Sequence, residues 1–476
     1  MKTISIIIPN GWAIKGFILT DTINVLSKKM NVVILSPLSN EDSFRSLFVG
    51  KNIYFEQYNI PKMTNLYEEI DKLLFWCHEY RTKRKHATKL YKRQREWFYE
   101  ARPRKSLLTF IKFKLIRPLE ALFAKYFFFL ITLNIEILIE KFFYKKLTTE
   151  SNRLKKVYQK YNVSLAMSTQ PLIVYFDRAG IWAAEELGIP SICYLMAWDN
   201  LSTKGRIPFN CKYYFVWSEW MKKELLISHK HILPEQVIIT GAHILDFYKK
   251  EELRLCKEDF FEMLDLDITR PLVLFAPPPP STSPALPQML DQIFNEFETG
   301  SISNNPQLLL RLHPIGGIGP YKHMLQKYPN IKYTDSSMDN KSLGTLWMPT
   351  MEDMTLMVNS VLHCDLMVNI SSTMTLEAFM VDKPVINIAY DYDKGSYPET
   401  LIRNALTFRS YSPVVKTKST KIAYDFDLLI KFIESYLNEP EQDKKNRSEL
   451  LELICGNTKL DSSTVTALKI IELFET

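Results

Sequence analysis

The sequence predicts an α/β protein built from two Rossmann-like domains that face a cleft. Its 476 residues are enough for two or three domains of ordinary size. In both halves, short apolar runs alternate with helical stretches, which is the pattern of parallel sheets joined by helices. One long segment lacks this alternation and is rich in lysine, arginine and aromatic residues. We therefore expect an N-terminal domain over residues 1–245, interrupted by a basic helical insertion at about 62–160, and a C-terminal domain over residues 246–476.

The N-terminal domain is predicted from the strand, turn, helix and strand with which the chain begins. A β-branched run at 3–8 ends at Pro9-Asn10-Gly11, and a helical stretch from about 16 to 29 leads to the apolar run 32–35. This order is a βαβ unit, whose two strands run parallel. After the insertion we expect strands at 164–167, 192–196, 213–216 and 237–239, with a helix at 174–187.

The C-terminal domain repeats the alternation after a polar connection at about 249–269. We expect strands at 272–275, 308–312, 331–333, 366–369 and 385–388, and helices at 288–297, 354–362, 373–380, 428–437 and 465–474. Open parallel sheets bind their ligands beyond the carboxyl ends of the strands. Candidate site residues are therefore sought at those ends.

The composition is that of a globular protein, with 46% hydrophobic and 24% charged residues. Six scattered cysteines without a CxxC spacing argue against a zinc site or a disulfide framework and favour a reducing compartment. The apolar run at the N-terminus is short and ends at Pro9, so we expect no signal peptide. These features together predict a cytoplasmic protein.

The net charge of +7 comes from one segment of the chain. Residues 81 to 117 carry 14 lysines and arginines against two acids, a local charge of +12 that leaves the rest of the chain at −5. Such a stretch suits nucleic acid or an anionic membrane surface. No RNA-recognition motif accompanies it, so a nucleic-acid partner is not expected and an RNA-binding protein is only a non-enzymatic alternative.

A membrane contact is predicted for the 81–146 region. Phe110, Phe113 and Ile116 alternate with Lys112, Lys114 and Arg117, as in a basic amphipathic helix lying on anionic lipid. The apolar run 126–139 is interrupted by polar residues and is too short to span a bilayer. The alternative is a helical hairpin that packs on the first domain and keeps its basic side in water.

Two polar groups follow predicted strands of the C-terminal domain. Ser371-Ser372-Thr373 lies between the strand at 366–369 and a helix, where hydroxyls and free backbone N–H groups can bind an anion. An ordinary N-cap would explain one such hydroxyl, but three in a row favour a phosphate site. His313 ends the strand at 308–312, before Pro314, and an imidazole there can contact a phosphate or assist a leaving group.

Four further charged residues are weaker candidates. Glu377 lies one helical turn beyond Thr373 and could accept hydrogen bonds from ribose hydroxyls. Asp199 follows the strand at 192–196 and could be the base that deprotonates an acceptor hydroxyl, although an Asx turn would also explain it. Lys15, after the first strand, is a candidate anion contact or a surface lysine. Asp177 is a lesser candidate base because it lies within a helical pattern.

The two polar groups of the C-terminal domain also carry a family resemblance. Leu312-His313-Pro314 with Asn369-Ile370-Ser371-Ser372-Thr373 resembles the HP and S/SS-T motifs of bacterial sialyltransferases, capsule Kdo-transferases and CDP-glycerol glycerophosphotransferases. Those families have the GT-B glycosyltransferase fold and bind donor phosphates through these residues. The resemblance implies this role for His313, Ser371, Ser372 and Thr373. The segment from Thr375 to Val385 is similar to the GT-B pattern of an acidic helix, a turn, Lys-Pro and a strand, which implies a nucleotide contact for Glu377.

The resemblance implies a glycosyltransferase that uses a nucleotide-sugar donor and a glycan or lipid-linked acceptor. The product would be capsule, lipopolysaccharide or a related surface glycan, made at the inner face of the plasma membrane by a peripheral protein. No cofactor or metal is expected. The acidic D/E-D/E-G motif of sialyltransferase relatives is missing, so Asp199 as the base is an inference of ours. The alternatives are a CDP-glycerol-type polyol-phosphate transferase and a sugar-nucleotide 2-epimerase.

Overall fold

The computed structural model describes residues 1–48, 50–60, 70–71, 73–75, 77–78, 81, 122, 133–147, 149–172, 177–279, 286–335, 347–390, 406 and 408–475. The chain forms two compact units, one of Met1–Gly241 with Ser463–Thr476 and another of Ala242–Ser462. The amphipathic pattern predicted around Phe110 and Phe113 lies outside the described residues, as does most of the basic stretch.

The first unit contains one parallel sheet, in which seven strands are described. They are β1 (Thr3–Ile7), β2 (Asn31–Ser36), β3 (Ile53–Gln57), β4 (Leu165–Ser168), β5 (Ser191–Tyr194), β6 (Tyr213–Val216) and β7 (Val237–Ile239). Their order is β3-β2-β1-β4-β5-β6-β7, and each described pairing is parallel. Strands β2 and β3 are added on one side of β1, and strands β4 to β7 are added on the other side. The order of strands thus reverses between β1 and β4, and ligands of such sheets bind at this point.

Helices connect these strands. The described helical segments of the first unit are Gly11–Ala13, the π-helical turn Ile14–Ile18, Thr22–Ser27, Asp42–Arg45, Leu133–Leu147, Glu150–Lys160, Arg178–Glu186, Asn200–Thr203, Glu219–Ser228, the 3-10 turn Pro234–Gln236 and Ser462–Glu475. Leu133–Leu147 and Glu150–Lys160 belong to the insertion between β3 and β4, which confirms that it is helical where it is described. Among the described residues, no helix is long and apolar enough to cross a membrane.

The second unit contains a parallel sheet of the same topology. Its described strands are β8 (Leu272–Ala276), β9 (Gln307–Arg311), β10 (Lys332–Thr334), β11 (Leu366–Asn369), β12 (Val385–Ile388) and β13 (Lys421–Ala423). The order β10-β9-β8-β11-β12-β13 places the reversal between β8 and β11. The described helical segments are 3-10 turns at His243–Lys249, Glu251–Leu253 and Gly319–Tyr321, and α-helices at Lys257–Met263, Leu286–Thr299, Lys322–Lys327, Met351–His363, Met374–Met380, Ser412–Thr417, Phe426–Asn438 and Lys444–Cys455.

The two faces of the second sheet are different in chemistry. One face is an apolar core in which Leu308, Leu310 and Leu312 of the β9 segment pack with Leu286–Thr299 and Phe426–Asn438. Because side chains alternate along a strand, Leu309 and Arg311 point to the opposite face. Met351–His363, Met374–Met380 and His243–Lys249 contact one another on this second side. Polar residues near the carboxyl ends of the strands therefore gather on one face.

The predicted two-domain α/β fold is confirmed, with differences in single elements. The edge strands β3 and β13 were not expected because each carries polar residues among its few apolar ones. The helix predicted at 174–187 begins at Arg178, so Asp177 precedes it instead of lying within it. The stretch 249–269, expected to be only a connection, contains the helix Lys257–Met263, whose buried Phe260 and Phe261 are surrounded by charged residues.

Candidate functional site

The last residues of β9, β8, β11 and β12 lie side by side at the carboxyl edge of the second sheet. The strand registers place Asn369 of β11 beside Ala276 of β8 and beside Asn387 of β12. The β8–β9 register, in which Phe275 pairs with Leu310, brings Arg311 level with Ala276 on the other side. Arg311 and Asn369 are thus two strands apart, about 10 Å at the usual spacing of strands.

Arg311 is a buried arginine with an unsatisfied guanidinium nitrogen among the described residues. Only 6% of its surface is exposed, and Nη1 is fully buried without a hydrogen-bond partner among the described residues. Burial lowers the pKa of its guanidinium, and the nearby Asp353, Tyr248, Asp335 and Glu377 oppose that shift. An arginine remains protonated in proteins, and a buried charge without a hydrogen-bonded partner is costly. The position therefore suits an incoming anion.

His313 lies two residues beyond Arg311 and has one defined ring nitrogen. Nδ1 accepts the backbone N–H of Ile315 at 3.0 Å. Loss of hydration lowers the pKa of His313 to about 4, so the ring is neutral at neutral pH. With Nδ1 accepting, the ring proton resides on Nε2 and can be donated to a ligand. The structure therefore favours a neutral imidazole over a protonated one.

The three hydroxyl-bearing residues Ser371, Ser372 and Thr373 form a tight turn after β11. Ser371 has a left-handed backbone with φ of 46°, which is uncommon for a residue with a side chain. The Ser372 hydroxyl accepts the N–H of Met374, the first residue of the short helix Met374–Met380, at 3.2 Å. The N-cap residue is Thr373, and its side chain makes no capping hydrogen bond. Phosphate binding by all three residues remains a prediction.

A buried amide network fixes this turn, and sequence reasoning missed it. Asn369 Nδ2 donates to Thr375 Oγ1 at 3.1 Å, and Asn369 Oδ1 accepts from Asn387 Nδ2 at 2.8 Å. Asn387 Oδ1 accepts in turn from the hydroxyl of Tyr411 at 3.0 Å. The same Asn369 Oδ1 lies 3.4 Å from the backbone N–H of Ser372. The sequence did contain a signal for these residues, namely a polar residue at the end of an apolar strand. Asn369 ends β11 in this way, and Arg311 ends β9.

Glu377 is buried and held by a tyrosine. The hydroxyl of Tyr248 donates to Glu377 Oε2 at 2.8 Å. Burial and the nearby charge of Glu377 raise the pKa of Tyr248 well above its ordinary value, so the hydroxyl keeps its proton. Glu377 therefore has a fixed orientation on the polar face of the sheet. Its contact with a ribose stays a prediction.

The candidates of the first unit lie at the carboxyl ends of other strands. Asp199 is half-buried at the start of Asn200–Thr203, and its Oδ2 accepts the hydroxyl of Thr203 at 3.1 Å. Asp177, by contrast, is buried, and its Oδ2 accepts from Ser168 at 2.7 Å and from the N–H of Gln170 at 2.6 Å. Burial raises the pKa of Asp177 to about 6. Asp199 is the more accessible carboxylate of the two.

Lys15 lies in the π-helical turn that follows β1, near the reversal of the first sheet. Its side chain is half-buried. This position suits an anion contact. That role remains a prediction.

Two units of this topology give the chain the GT-B fold, which comparison with solved structures supports. UDP-GlcNAc 2-epimerase from Neisseria meningitidis, bound to UDP-GlcNAc, is similar with a TM-score of 0.53 and 11% identity, covering 100% of both chains. A putative UDP-N-acetylglucosamine 2-epimerase from Listeria monocytogenes has a TM-score of 0.55 and 12% identity over 100% of this chain and 97% of its own. A glycosyltransferase from Rickettsia africae has a TM-score of 0.50 and 11% identity over 100% and 98%.

No protein-family model matches the sequence, and no curated protein matches it. At the identities of the solved structures, the likeness shows the fold alone. The sialyltransferase and Kdo-transferase resemblance of the short motifs is therefore carried by His313 and Ser371 to Thr373 only.

Proposed function

We propose that the protein is a glycosyltransferase that binds a nucleotide-activated sugar in its second unit and transfers the sugar to a surface glycan. The observation that carries this proposal is the buried Arg311 guanidinium, whose Nη1 has no hydrogen-bond partner among the described residues, two residues from a neutral His313. An acceptor of capsule or lipopolysaccharide type, including a lipid-linked one, follows from the motif resemblance.

The donor phosphates would lie at the carboxyl edge of the second sheet. Arg311 supplies a permanent positive charge, His313 donates from Nε2, and the hydroxyls of Ser371 to Thr373 supply further donors. Together they would stabilise the negative charge that grows on the leaving phosphate as the glycosidic bond breaks. Glu377, oriented by Tyr248 at 2.8 Å, would accept hydrogen bonds from the ribose. This set neutralises phosphate without a metal ion.

The acceptor hydroxyl needs a base, and we assign Asp199. Its carboxylate would take the hydroxyl proton while the acceptor oxygen bonds to the anomeric carbon of the sugar. The bond from that carbon to the donor phosphate breaks, and the nucleotide leaves with the bonding electrons. Asp199→Asn should then reduce turnover by at least about a hundredfold, in the range of general-base losses, and leave nucleotide affinity unchanged.

A sugar-nucleotide 2-epimerase is the second candidate, because epimerases of this fold cover the whole chain. Both activities begin with a bound sugar nucleotide, and they differ in product. An epimerase inverts C2 of the sugar without an acceptor, whereas a transferase releases free nucleotide in proportion to glycan formed. The basic insertion favours the transferase, since an epimerase has no use for a membrane contact.

The proposal is tested by incubating the purified protein with UDP-, CMP- and CDP-linked donors and following products by NMR. Acceptor-dependent release of nucleotide supports the transferase, and this release should persist in EDTA. An acceptor-independent change at C2 would establish the epimerase instead. Calorimetry with CMP, CDP and UDP runs in parallel, and absence of binding to all three would exclude both enzymes.

A further inference from the structure

Thr334 is a second buried residue with an unsatisfied polar atom at the carboxyl edge of the second sheet. It is the last residue of β10, and only 3% of its surface is exposed. Its Oγ1 is fully buried without a hydrogen-bond partner among the described residues. Leaving a hydroxyl unsatisfied inside a protein is costly, so such a group calls for an explanation. The residue beside it supplies one.

Thr334 lies next to Arg311 on the neighbouring strand. The two residues are register partners in the parallel pairing of β10 with β9, and the N–H of Leu312 donates to the Thr334 carbonyl at 2.9 Å. Tyr333 and Leu310, the preceding pair, pack in the apolar core on one face of the sheet. Because side chains alternate along a strand, Thr334 and Arg311 both point to the polar face.

These two side chains offer hydrogen-bond donors to one oxyanion. Arg311 Nη1 and Thr334 Oγ1 are both unsatisfied among the described residues, and their strands are about 5 Å apart at the usual spacing. An oxyanion accepts at about 2.8 Å from each donor, so a phosphate between the two strands can reach both. Water would satisfy the hydroxyl but would leave the guanidinium charge uncompensated.

Acidic neighbours increase the importance of the hydroxyl. Asp353 and Glu377 are near enough to Arg311 to oppose the lowering of its guanidinium pKa. Their carboxylates offset part of the positive charge, so the attraction of an anion by charge alone is weakened. Binding then depends more on directed hydrogen bonds, and Thr334 supplies one without adding a charge.

The position beside Thr334 is separate from the turn at Ser371 to Thr373. The strand order β10-β9-β8-β11 places Thr334 three strands from Asn369, about 14 Å at the usual spacing. A threonine side chain is too short to close this gap. A single phosphate that accepts from Thr334 at about 2.8 Å therefore cannot also accept from the turn after β11. Two linked phosphates extend further along the sheet edge.

We propose that Arg311 and Thr334 bind the second phosphate of a nucleoside diphosphate donor, while the first phosphate lies at Ser371 to Thr373. This inference rests on the proposed function, because it concerns the same donor at the same sheet edge. It narrows the class of donor from any activated nucleotide to one that carries a diphosphate. Thr334 is then a residue that determines this specificity.

The test compares nucleoside monophosphates with diphosphates by calorimetry on the full-length protein, using CMP with CDP and UMP with UDP. The wild type should bind the diphosphate of its preferred base more tightly than the monophosphate. Thr334→Val replaces the hydroxyl by a methyl group and should weaken diphosphate binding about tenfold or more, as expected for a hydrogen bond to a charged group. Monophosphate binding should not change. Thr334→Ser keeps the hydroxyl and should retain diphosphate binding.

Thr420→Val is the matched control. Thr420 is also buried, with 6% of its surface exposed, and its Oγ1 is likewise unsatisfied among the described residues. It precedes β13, at the amino edge of the same sheet, away from the candidate site. This variant should bind every nucleotide as the wild type does. Both valine variants should melt at or above the temperature of the wild type without ligand, because each loses an unsatisfied buried hydroxyl.

Failure of this inference differs from failure of the proposed function. A wild type that binds none of the four nucleotides would overturn both. A wild type that binds mono- and diphosphates equally, or whose diphosphate affinity Thr334→Val leaves unchanged, would overturn the second phosphate position alone. An equal loss for monophosphate and diphosphate would place a single phosphate at Thr334. A lower melting temperature of ligand-free Thr334→Val would assign the hydroxyl to packing within the chain, which also contradicts the inference.

Discussion

Nδ1 of His313 accepts the backbone N–H of Ile315 at 3.0 Å, and this contact determines how the imidazole can serve a ligand. The nitrogen that accepts cannot also carry the proton, so a neutral ring presents N–H at Nε2. Loss of hydration keeps the ring neutral by lowering the pKa of His313 to about 4. A neutral donor beside a permanently charged Arg311 is the electrostatic pattern of the candidate site.

The lowered pKa of His313 predicts a loss of stability in acid. An unfolded histidine titrates near 6.5, so between about pH 6.5 and pH 4 the unfolded chain binds a proton that the folded chain does not. This contribution to stability is intact above pH 6.5 and falls as the pH falls. Between pH 7 and pH 5, the wild type should lose up to about 2 kcal/mol more than His313→Gln in urea titrations.

The control for this measurement is His323→Gln, which replaces an exposed histidine of the same unit. It should follow the wild type at both pH values. If His313→Gln also followed the wild type, the ring would be protonated in the folded protein and the Nε2 donor would be wrong.

Tyr248→Phe should destabilise the second unit. The substitution removes the 2.8 Å hydrogen bond to Glu377 Oε2 and leaves a buried carboxylate with one donor fewer. Losing a buried hydrogen bond of this kind costs about 1–3 kcal/mol. Denaturation with urea measures this loss, and calorimetry should find weaker nucleotide binding. Tyr424→Phe, at an exposed position, is the control, and equal stability of the two variants would contradict the role of Tyr248.

Asn369→Ala should displace the turn at Ser371 to Thr373. The side chain bonds Asn387 at 2.8 Å and Thr375 at 3.1 Å, and both partners are buried. Two unsatisfied polar groups would lower the free energy of unfolding by about 2 kcal/mol or more. We expect a lower melting temperature together with weaker nucleotide binding, whereas the exposed Asn330→Ala should affect neither. Unchanged affinity in a folded Asn369→Ala protein would separate the turn from the binding site.

Much of the fold follows from the sequence, because buried parallel strands are short apolar runs between turn signals. The expected strands at 213–216, 237–239, 366–369 and 385–388 have the observed bounds for this reason. Two edge strands, β3 and β13, escape the pattern, although the edge strands β7 and β10 do not. In β3, Ile53–Gln57, every residue is at least partly exposed, and β13 offers only Ile422 and Ala423 as apolar residues beside Lys421.

The site was less accessible to sequence reasoning. His313 and Ser371 to Thr373 could be selected as polar residues after strands, but Arg311 was counted as part of a strand. Its chemistry depends on the absence of a partner among the residues that the structure describes, and pairing is decided by tertiary packing. Asn369, Asn387 and Tyr411 share one network only because the sheet register aligns β11 with β12.

The most direct test of the nucleotide site is the melting temperature of Arg311→Met with and without nucleotide. Replacing a buried charge that has no ion pair among the described residues by an apolar side chain should leave the ligand-free protein as stable as the wild type or more so. The nucleotide should then no longer stabilise it, although it stabilises the wild type. Arg447→Met is the matched control, since Arg447 is buried in the same unit but pairs with Asp382 at 2.8 Å, and its loss should be destabilising. An Arg311→Met protein that melts lower without ligand and is still stabilised by nucleotide would contradict the site.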